Sequence, residues 1–593
     1  MQIWLNYVNQ ILIMSALGLS LNLLLGYAGQ VSVAHASFGA IGGYTIGYVI
    51  TKYNWNIIWA LLLGVAFSLI VGGLIALVAM RLSVEYLILM TLAFGNVLLG
   101  VFSSLPALGG TYGIIQINND PHAIHFFGWH MNRPTDWLLP LFVLLAITFA
   151  ITWRMGESAY GRVLKGIRED VVATRSLGKN TFKVQIMVFA ITSALASFAG
   201  VMNASWLGVA TPSVFGFSLS LTIVAIVIFG GMGNLKGTLI GAVILVGLDP
   251  ILRRVVKIDQ TKSFLIQLMI YGVLLVVLMM VRSVGLIPEG RTLSSFVRRR
   301  GAGGRTEMSA TTAANLEPAF TTRKTEGAAS QSDRHQKWEQ AEVVLEARGI
   351  SKSFGGIVAA EDLDFVLKKG TITALVGPNG AGKTTVFNLL SGNIIPDSGS
   401  VKLRGKDITG RSLDAAARQG LVRSFQDVRL FQRISCLDNV LFGVQQQAGE
   451  KLPTLFGRPG IVKQSDKASL DKAMEWLSFV GMQGFANVPA GALSYGQTKL
   501  ISLARVLSTE AEVLLLDEPA SGIDTKWVDN MLDLVLAIAA QGRTVCIVEH
   551  NLHVVTELAD YAYFMELGRI TAEGTVDELT SSPRLAAAYF GTV

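Results

Sequence analysis

Apolar positions follow two regimes along this chain. As far as Ile287 they come in long runs; from Val343 onward they come in short runs broken by polar and glycine-rich turns. A helix needs roughly 20 apolar residues to cross a hydrocarbon layer. Runs of that kind lie at Ile11–Leu25, Ile57–Met80, Tyr86–Leu105, Trp137–Thr152, Val184–Trp206 and Phe264–Val281. A weaker candidate, Val31–Ile50, is glycine-rich and carries His35. The longer run Phe217–Leu248 is interrupted by Gly230-Gly231-Met232-Gly233-Asn234, which predicts two short segments joined by a turn. In the second regime Thr371–Val376, Val513–Leu516 and Thr544–Val548 read as buried strands, and the chain from Lys383 as a helix. The expected organisation is a polytopic α-helical membrane domain over 1–290, a flexible linker over 291–340, and an α/β domain over 341–593.

Composition supports the division. Of 593 residues, 51% are hydrophobic and only 15% charged, too few charges for an ordinary soluble surface. The linker turns to Gly, Ala, Ser, Thr and charge without apolar periodicity. Such a chain spans roughly 40 Å root-mean-square, enough to tether two modules and too slack to pass force. The net charge of +7 collects beside the apolar runs and at Arg298, Arg299 and Arg300. That placement suits anionic lipid and lacks the basic-plus-aromatic stripe of nucleic-acid binding. The two cysteines, Cys436 and Cys546, read as buried small apolar residues, and no disulfide framework is expected. No cleavable signal pattern is visible after Met1.

Basic residues favour the cytoplasmic side. Arg282 and Arg291 precede the α/β domain, and Arg162, Lys165, Arg168, Arg175 and Lys179 crowd the 154–183 loop, so both regions are expected inside. An even number of crossings must separate them, which a hairpin at the glycine cluster supplies. Arg253, Arg254 and Lys257 then fall outside, against the trend. Within the loop Val163, Ile167 and Val171 recur every four residues, while Arg162, Lys165 and Arg168 fill another sector. The pattern predicts a short amphipathic helix docked in a groove of a soluble partner, or else lying on the membrane surface. His35 sits deep in an apolar run, where a hydrogen-bonded structural role and a substrate contact are both open. Gly26-Tyr27-Ala28-Gly29-Gln30 either breaks a helix beside it or packs closely on a neighbour.

The chemistry lies in the second regime. Gly377-Pro378-Asn379-Gly380-Ala381-Gly382-Lys383-Thr384-Thr385 joins a strand to a helix, the context of a phosphate-binding loop. Its backbone N–H groups can approach phosphate oxygens, Lys383 neutralises β/γ charge, and Thr384 offers a hydroxyl to Mg²⁺. Asp517 and Glu518 end an apolar strand where carboxylates have no place as core residues. Asp517 suits holding Mg²⁺ through water, and Glu518 suits orienting the attacking water. His550, after the strand Thr544–Val548, falls near the γ-phosphate position, with a structural histidine as the alternative. Gln426, on the loop after Val422–Phe425, could reach Mg²⁺ and that water while contacting the membrane half. ATP and Mg²⁺ are the expected cofactors.

The region from Val343 to Val593 resembles the nucleotide-binding domain of ABC transporters, and Leu493-Ser494-Tyr495-Gly496-Gln497 looks like its signature segment. The resemblance implies an α/β P-loop NTPase of ABC type, a RecA-like core plus an α-helical subdomain. It implies that Ser494, Gly496 and Gln497 cap the nucleotide held by an opposite domain's P-loop, that Asn379 holds phosphate, and that Phe354 stacks on adenine. Ser521-Gly522-Ile523-Asp524 fits the dimer-contact loop, so a second ATPase is required. Phe425-Gln426-Asp427-Val428-Arg429-Leu430-Phe431 and Ala588-Tyr589-Phe590-Gly591 resemble the ATPases of branched-chain amino acid uptake systems. Gly26–Tyr44, the Arg162–Gly178 loop and Gly230-Gly231-Met232-Gly233 resemble the permeases of the same systems. The implied protein is a permease fused to its ATPase, moving branched-chain or other small amino acids across the bacterial inner membrane. Its implied partners are a second permease, a second ATPase and a periplasmic substrate-binding protein. Uptake of urea or amides, export, and an ATP-operated regulator that moves nothing are the alternatives. Thr498-Lys499 follows the signature where the family commonly has Gln-Arg, which implies altered dimer contacts with hydrolysis kept.

Overall fold

The computed structural model describes residues 2–581 apart from 54, 116, 118–124, 127–128, 132, 255–259, 283–284 and 290–330. The chain forms two compact units, Met1–Arg168 with Thr181–Ser295, and Glu169–Asn180 with Phe296–Val593.

The first unit is helical: α1 (Gln2–Asn22), continued by a π-helical turn at Leu23–Tyr27, α2 (His35–Tyr53), α3 (Ile57–Ala79), α4 (Val84–Ser104), α5 (Leu138–Gly156) and α6 (Ala159–Glu169). After α7 (Val171–Ser176), which belongs to the other unit, come α8 (Thr181–Leu207), α9 (Phe217–Gly230), α10 (Leu235–Arg254) and α11 (Gln260–Val281). Among the described residues six helices are long and apolar enough to cross a membrane. The first begins well before Ile11, because buried Asn9 finds a partner, its Nδ2 donating to Pro134 O at 2.9 Å. α3 explains how such helices pack. Ala60, Gly64, Ser68, Gly72 and Ala76 are buried at every fourth position, while Trp59, Leu63, Phe67, Leu74 and Val78 point outward. Small residues let backbones approach where lipid offers no hydrophobic drive between helices. Ser68 Oγ accordingly donates to Ser193 O at 2.8 Å, and Ser197 Oγ to Gly64 O at 2.9 Å.

The weak candidate Val31–Ile50 is the helix α2, starting only at His35, with residues 28–34 irregular before it. The glycine cluster makes the expected break: α9 and α10 meet across residues 231–234. Asn22 holds that turn, donating to Asn234 O (3.1 Å) and Thr238 Oγ1 (2.8 Å) and accepting from Gly233 N (2.8 Å). The side chains of Arg253, Arg254 and Lys257 lie outside the described residues, as do Arg298–Arg300 and Ala588–Gly591.

The second unit is α/β. A six-stranded sheet has the order Leu421–Arg423, Val513–Asp517, Thr544–Val548, Ile372–Val376, Tyr561–Glu566, Arg569–Gly574, parallel except for its last strand. An antiparallel sheet, Ile357–Lys368, Val343–Phe354, Ser398–Leu403 and Lys406–Asp407, completes the core. Cys436 and Cys546 are free and buried, and burial pushes the Cys436 thiol up to about 12.

Two expectations are corrected. The basic face of α6 is not free for docking: Lys165 and Arg168 pair with Glu289 at 2.9 and 2.8 Å inside the helical unit. The helix seated in the α/β unit is the next one, α7, N-capped by Asp170, whose carboxylate accepts from Ala173 N at 2.9 Å. Ala173 and Leu177 pack with Phe431, Ile434 and Phe442, whereas Val171 is exposed. Around them Lys179 Nζ reaches Glu450 at 2.6 Å and Val444 O at 2.8 Å, and Arg418 donates to Gly178 O at 3.0 Å. The linker boundary also shifts, because Gln331–Gln340 is a helix. Trp338 stacks on Tyr561 at 3.7 Å, Lys368 lies 3.9 Å above the same indole, and Arg334 donates to Thr556 O and Glu557 O. These partners are remote in sequence, so periodicity could not reveal them.

Candidate functional site

Parallel strands gather the site. Val376, Arg423, Asp517 and Val548 end their strands at one edge of the larger sheet, where open α/β sheets bind ligands. From Val376 the chain turns through 377–382 into the helix Lys383–Leu390. A Cβ on Gly377 would lie 2.1 Å from Met565 O, and one on Gly382, at φ +105°, 2.2 Å from Ala359 O. The loop is thus pressed against its own unit on one side. On the other side nothing lies within 4 Å of a Cβ at Gly380. Asn379, Gly380 and Thr384 are exposed, Pro378 and Thr385 half-buried, and Ala381 buried.

Lys383 donates to Gly377 O at 2.7 Å and Pro378 O at 2.9 Å, folding its ammonium into the loop. Burial lowers its pKa, and the carboxylates of Glu518 and Asp517 oppose that. Asp517 accepts through Oδ2 from Arg423 at 2.8 Å, while its Oδ1 is buried without a partner among the described residues. Burial raises its pKa and Arg423 pulls it back. A half-paired buried carboxylate facing a phosphate-type loop fits Mg²⁺. Among the described residues no trio of His, Cys, Asp and Glu could hold a metal alone.

Glu518 adopts φ +48°, a left-handed conformation that costs a non-glycine residue about 1–3 kcal/mol. It is held from both sides: Glu518 N donates to Val548 O at 2.9 Å, and Lys499 Nζ donates to Glu518 O at 2.6 Å. The strained turn brings Glu518 Oε1 to 3.9 Å from His550 Nδ1. Gln426 is exposed on the loop beyond Arg423, and that loop is tied to the site where Ser424 Oγ accepts from Asp517 N at 3.0 Å. Phe354 is 45% exposed at the end of its strand, with the Lys352 ammonium 5.7 Å from its ring centroid. Ser494 starts the helix Tyr495–Leu507 and is exposed, with Gly496 half-buried. Gln497 is buried, and its carboxamide oxygen accepts from Ser494 N at 2.9 Å.

Two family models divide the chain between them. Residues 3–279 match one described as branched-chain amino acid transport system / permease component, and residues 360–521 match ABC transporter. Over 250 residues, 42% of this chain, it is 34% identical to the high-affinity branched-chain amino acid transport ATP-binding protein BraF of Pseudomonas aeruginosa, covering 98% of that protein. The chain belongs to the branched-chain amino acid family of ABC transporters. It is also 33% identical over 249 residues to the ATP-binding protein LivG of Escherichia coli strain K12, again covering 98% of that protein. A permease domain is thus fused to an ABC ATPase domain that binds ATP, and the protein is a membrane protein with a soluble ATPase domain.

Two residues of this ABC ATPase, Arg423 and Glu549, escaped the sequence reading. Arg423 is buried against Asp517, and the detectable signal was a charge closing the apolar strand Leu421–Arg423. Glu549 is buried, and its Oε1 accepts from Ala520 N at 3.0 Å. Lys499, expected from the sequence to alter dimer contacts, is buried and donates to the Glu518 carbonyl. Neither of these last two bonds could be read from spacing, since each depends on a fold-level contact.

Proposed function

We propose that this chain is the fused permease and ATPase of an importer that takes up branched-chain amino acids across the bacterial inner membrane, driven by ATP hydrolysis. Its partners in this reading are a second permease, a second ATPase and a periplasmic binding protein. The observation that carries the coupling is residues Glu169–Asn180. Their chain neighbours α6 and α8 belong to the helical unit, yet the segment itself is packed within the ATPase unit. A nucleotide-driven shift of Phe431 or Phe442 would therefore be felt by the membrane helices through covalent continuity.

In the ATPase unit Lys383 is placed to exchange its loop carbonyls for β/γ-phosphate oxygens, and Thr384, Asp517 and Gln426 would hold Mg²⁺, which would supply positive charge to the phosphates. Glu518 orients and polarises the attacking water, with His550 beside it and Gln426 sensing the same point. Ser494 and Gly496 close over the nucleotide of the partner ATPase. Leucine uptake into vesicles holding the assembled transporter, with and without binding protein, tests this. Accumulation that needs both ATP and binding protein is expected. ATP turnover indifferent to loaded binding protein, with no accumulation, would overturn it.

A further inference from the structure

Inside the helical unit the polypeptide between the π-helical turn and α2, residues 28–34, has no regular structure. Irregular backbone at membrane depth is tolerated only where protein covers it or where it lines a polar cavity. Here it is covered, and side chains from three helices bond the segment or the first turn of α2 that follows it. Val33 N donates to Thr91 Oγ1 of α4 and Ala36 N to Ser220 Oγ of α9, both at 3.2 Å. The His35 ring bonds Ser20 Oγ of α1. Thr91, Ser220, His35 and Ser20 are all buried.

Two polar side chains of the same segment are left over. Gln30 is 3% exposed and Ser32 1% exposed. Among the described residues neither the carboxamide oxygen nor nitrogen of Gln30 has a hydrogen-bond partner, and neither has the Ser32 hydroxyl. Leaving such groups unpaired costs on the order of 1–3 kcal/mol each. A site that served packing alone would be better filled by Leu or Ala. Strain retained in this way points to a group that is satisfied during the working cycle.

We infer that Gln30 and Ser32, on the irregular segment ahead of α2, form a contact site for the solute on its path through the permease. The chemistry fits a small solute of zero net charge that both donates and accepts, such as a zwitterionic α-amino acid. Gln30 offers one acceptor and one donor group, Ser32 offers both, and neither carries a charge that would select a net ion. Discontinuous helices of transporters place polar groups along the path in the same manner. The inference rests on the proposed importer function and names the residues that the solute meets.

The test uses the complete assembly in lipid vesicles, with labelled leucine as probe. Wild-type uptake is measured first; its absence would sink the importer reading itself, separately from this site. Gln30→Leu should lower leucine uptake at least tenfold while raising or preserving the thermal midpoint, because an unpaired polar group is removed. Unchanged uptake would overturn the site, and so would a lowered midpoint, which would mark Gln30 as structural. Ser32→Cys gives a second readout, since both native cysteines are buried. A small thiol reagent should label it several-fold faster during turnover, and saturating leucine should slow that labelling. A rate identical with and without ATP and leucine would also overturn the proposal.

Discussion

In α3 the residues turned inward are Ala60, Gly64, Ser68, Gly72 and Ala76, whereas in the strand Val513–Asp517 every position is inward and three are leucines. α3 keeps its large apolar side chains outside and its small and polar ones within; the strand of the ATPase unit buries its leucines. The reason is solvent. In water, burying large side chains drives folding. In lipid that gain vanishes, and close backbone contact and hydrogen bonds must specify the bundle. The same contrast decides where each unit can keep polar groups for work. The ATPase collects them at a sheet edge, and the permease must bury them along its helices.

Substitutions can break or sharpen this contrast. The largest expected effect is confined to the ATPase edge: Glu518→Gln should cut ATP turnover by about 100-fold or more, with both units folded, as phosphate release would report. Arg423→Ala should follow. It strands Asp517 as a buried uncompensated charge, a loss of about 3–5 kcal/mol, visible as a sharply lowered unfolding midpoint of the ATPase. Leu177→Ala opens a cavity among Phe431, Ile434 and Phe442 and should cost about 2–4 kcal/mol. ATP-driven uptake should then fall further than ATP hydrolysis, because residues 169–180 are loosened while the nucleotide site is untouched. In the helical unit Gly200→Leu should cost about 1–3 kcal/mol or more by overpacking, since a Cβ there would meet Gly39 O at 1.9 Å. Gly73→Ala, with nothing nearer than 3.8 Å, should leave detergent stability unchanged. The smallest effect is expected for Trp338→Ala, about 1 kcal/mol from the lost stack on Tyr561, read as faster proteolysis near residue 331.

The nucleotide site was legible because its parts are contiguous. The 377–385 loop and the pair Asp517-Glu518 each announce themselves in a few residues, and parallel strands then bring them to one edge. What stayed hidden depends on distant partners. Arg423 makes sense only once Asp517 is beside it, and Lys165 and Arg168 are separated from their partner Glu289 by more than a hundred residues. The four-residue spacing of Val163, Ile167 and Val171 predicted one docked helix. It missed the break at Asp170, which caps α7 and turns Ala173 and Leu177 toward Phe431 instead. The glycine cluster at 230–234 was read correctly as a turn, while the asparagine that staples it, Asn22, lies more than two hundred residues away.

The helix Gln331–Gln340 bears on how this polypeptide could be divided. Anyone separating the transporter into independent membrane and motor polypeptides would be drawn to cut where the recognisable sheet begins, at Val343. Such a scission would discard Arg334 and Trp338, unplug the end of a neighbouring helix and bare the face of Tyr561. The safer cleavage point is upstream of Gln331, so that the motor half keeps its own clasp.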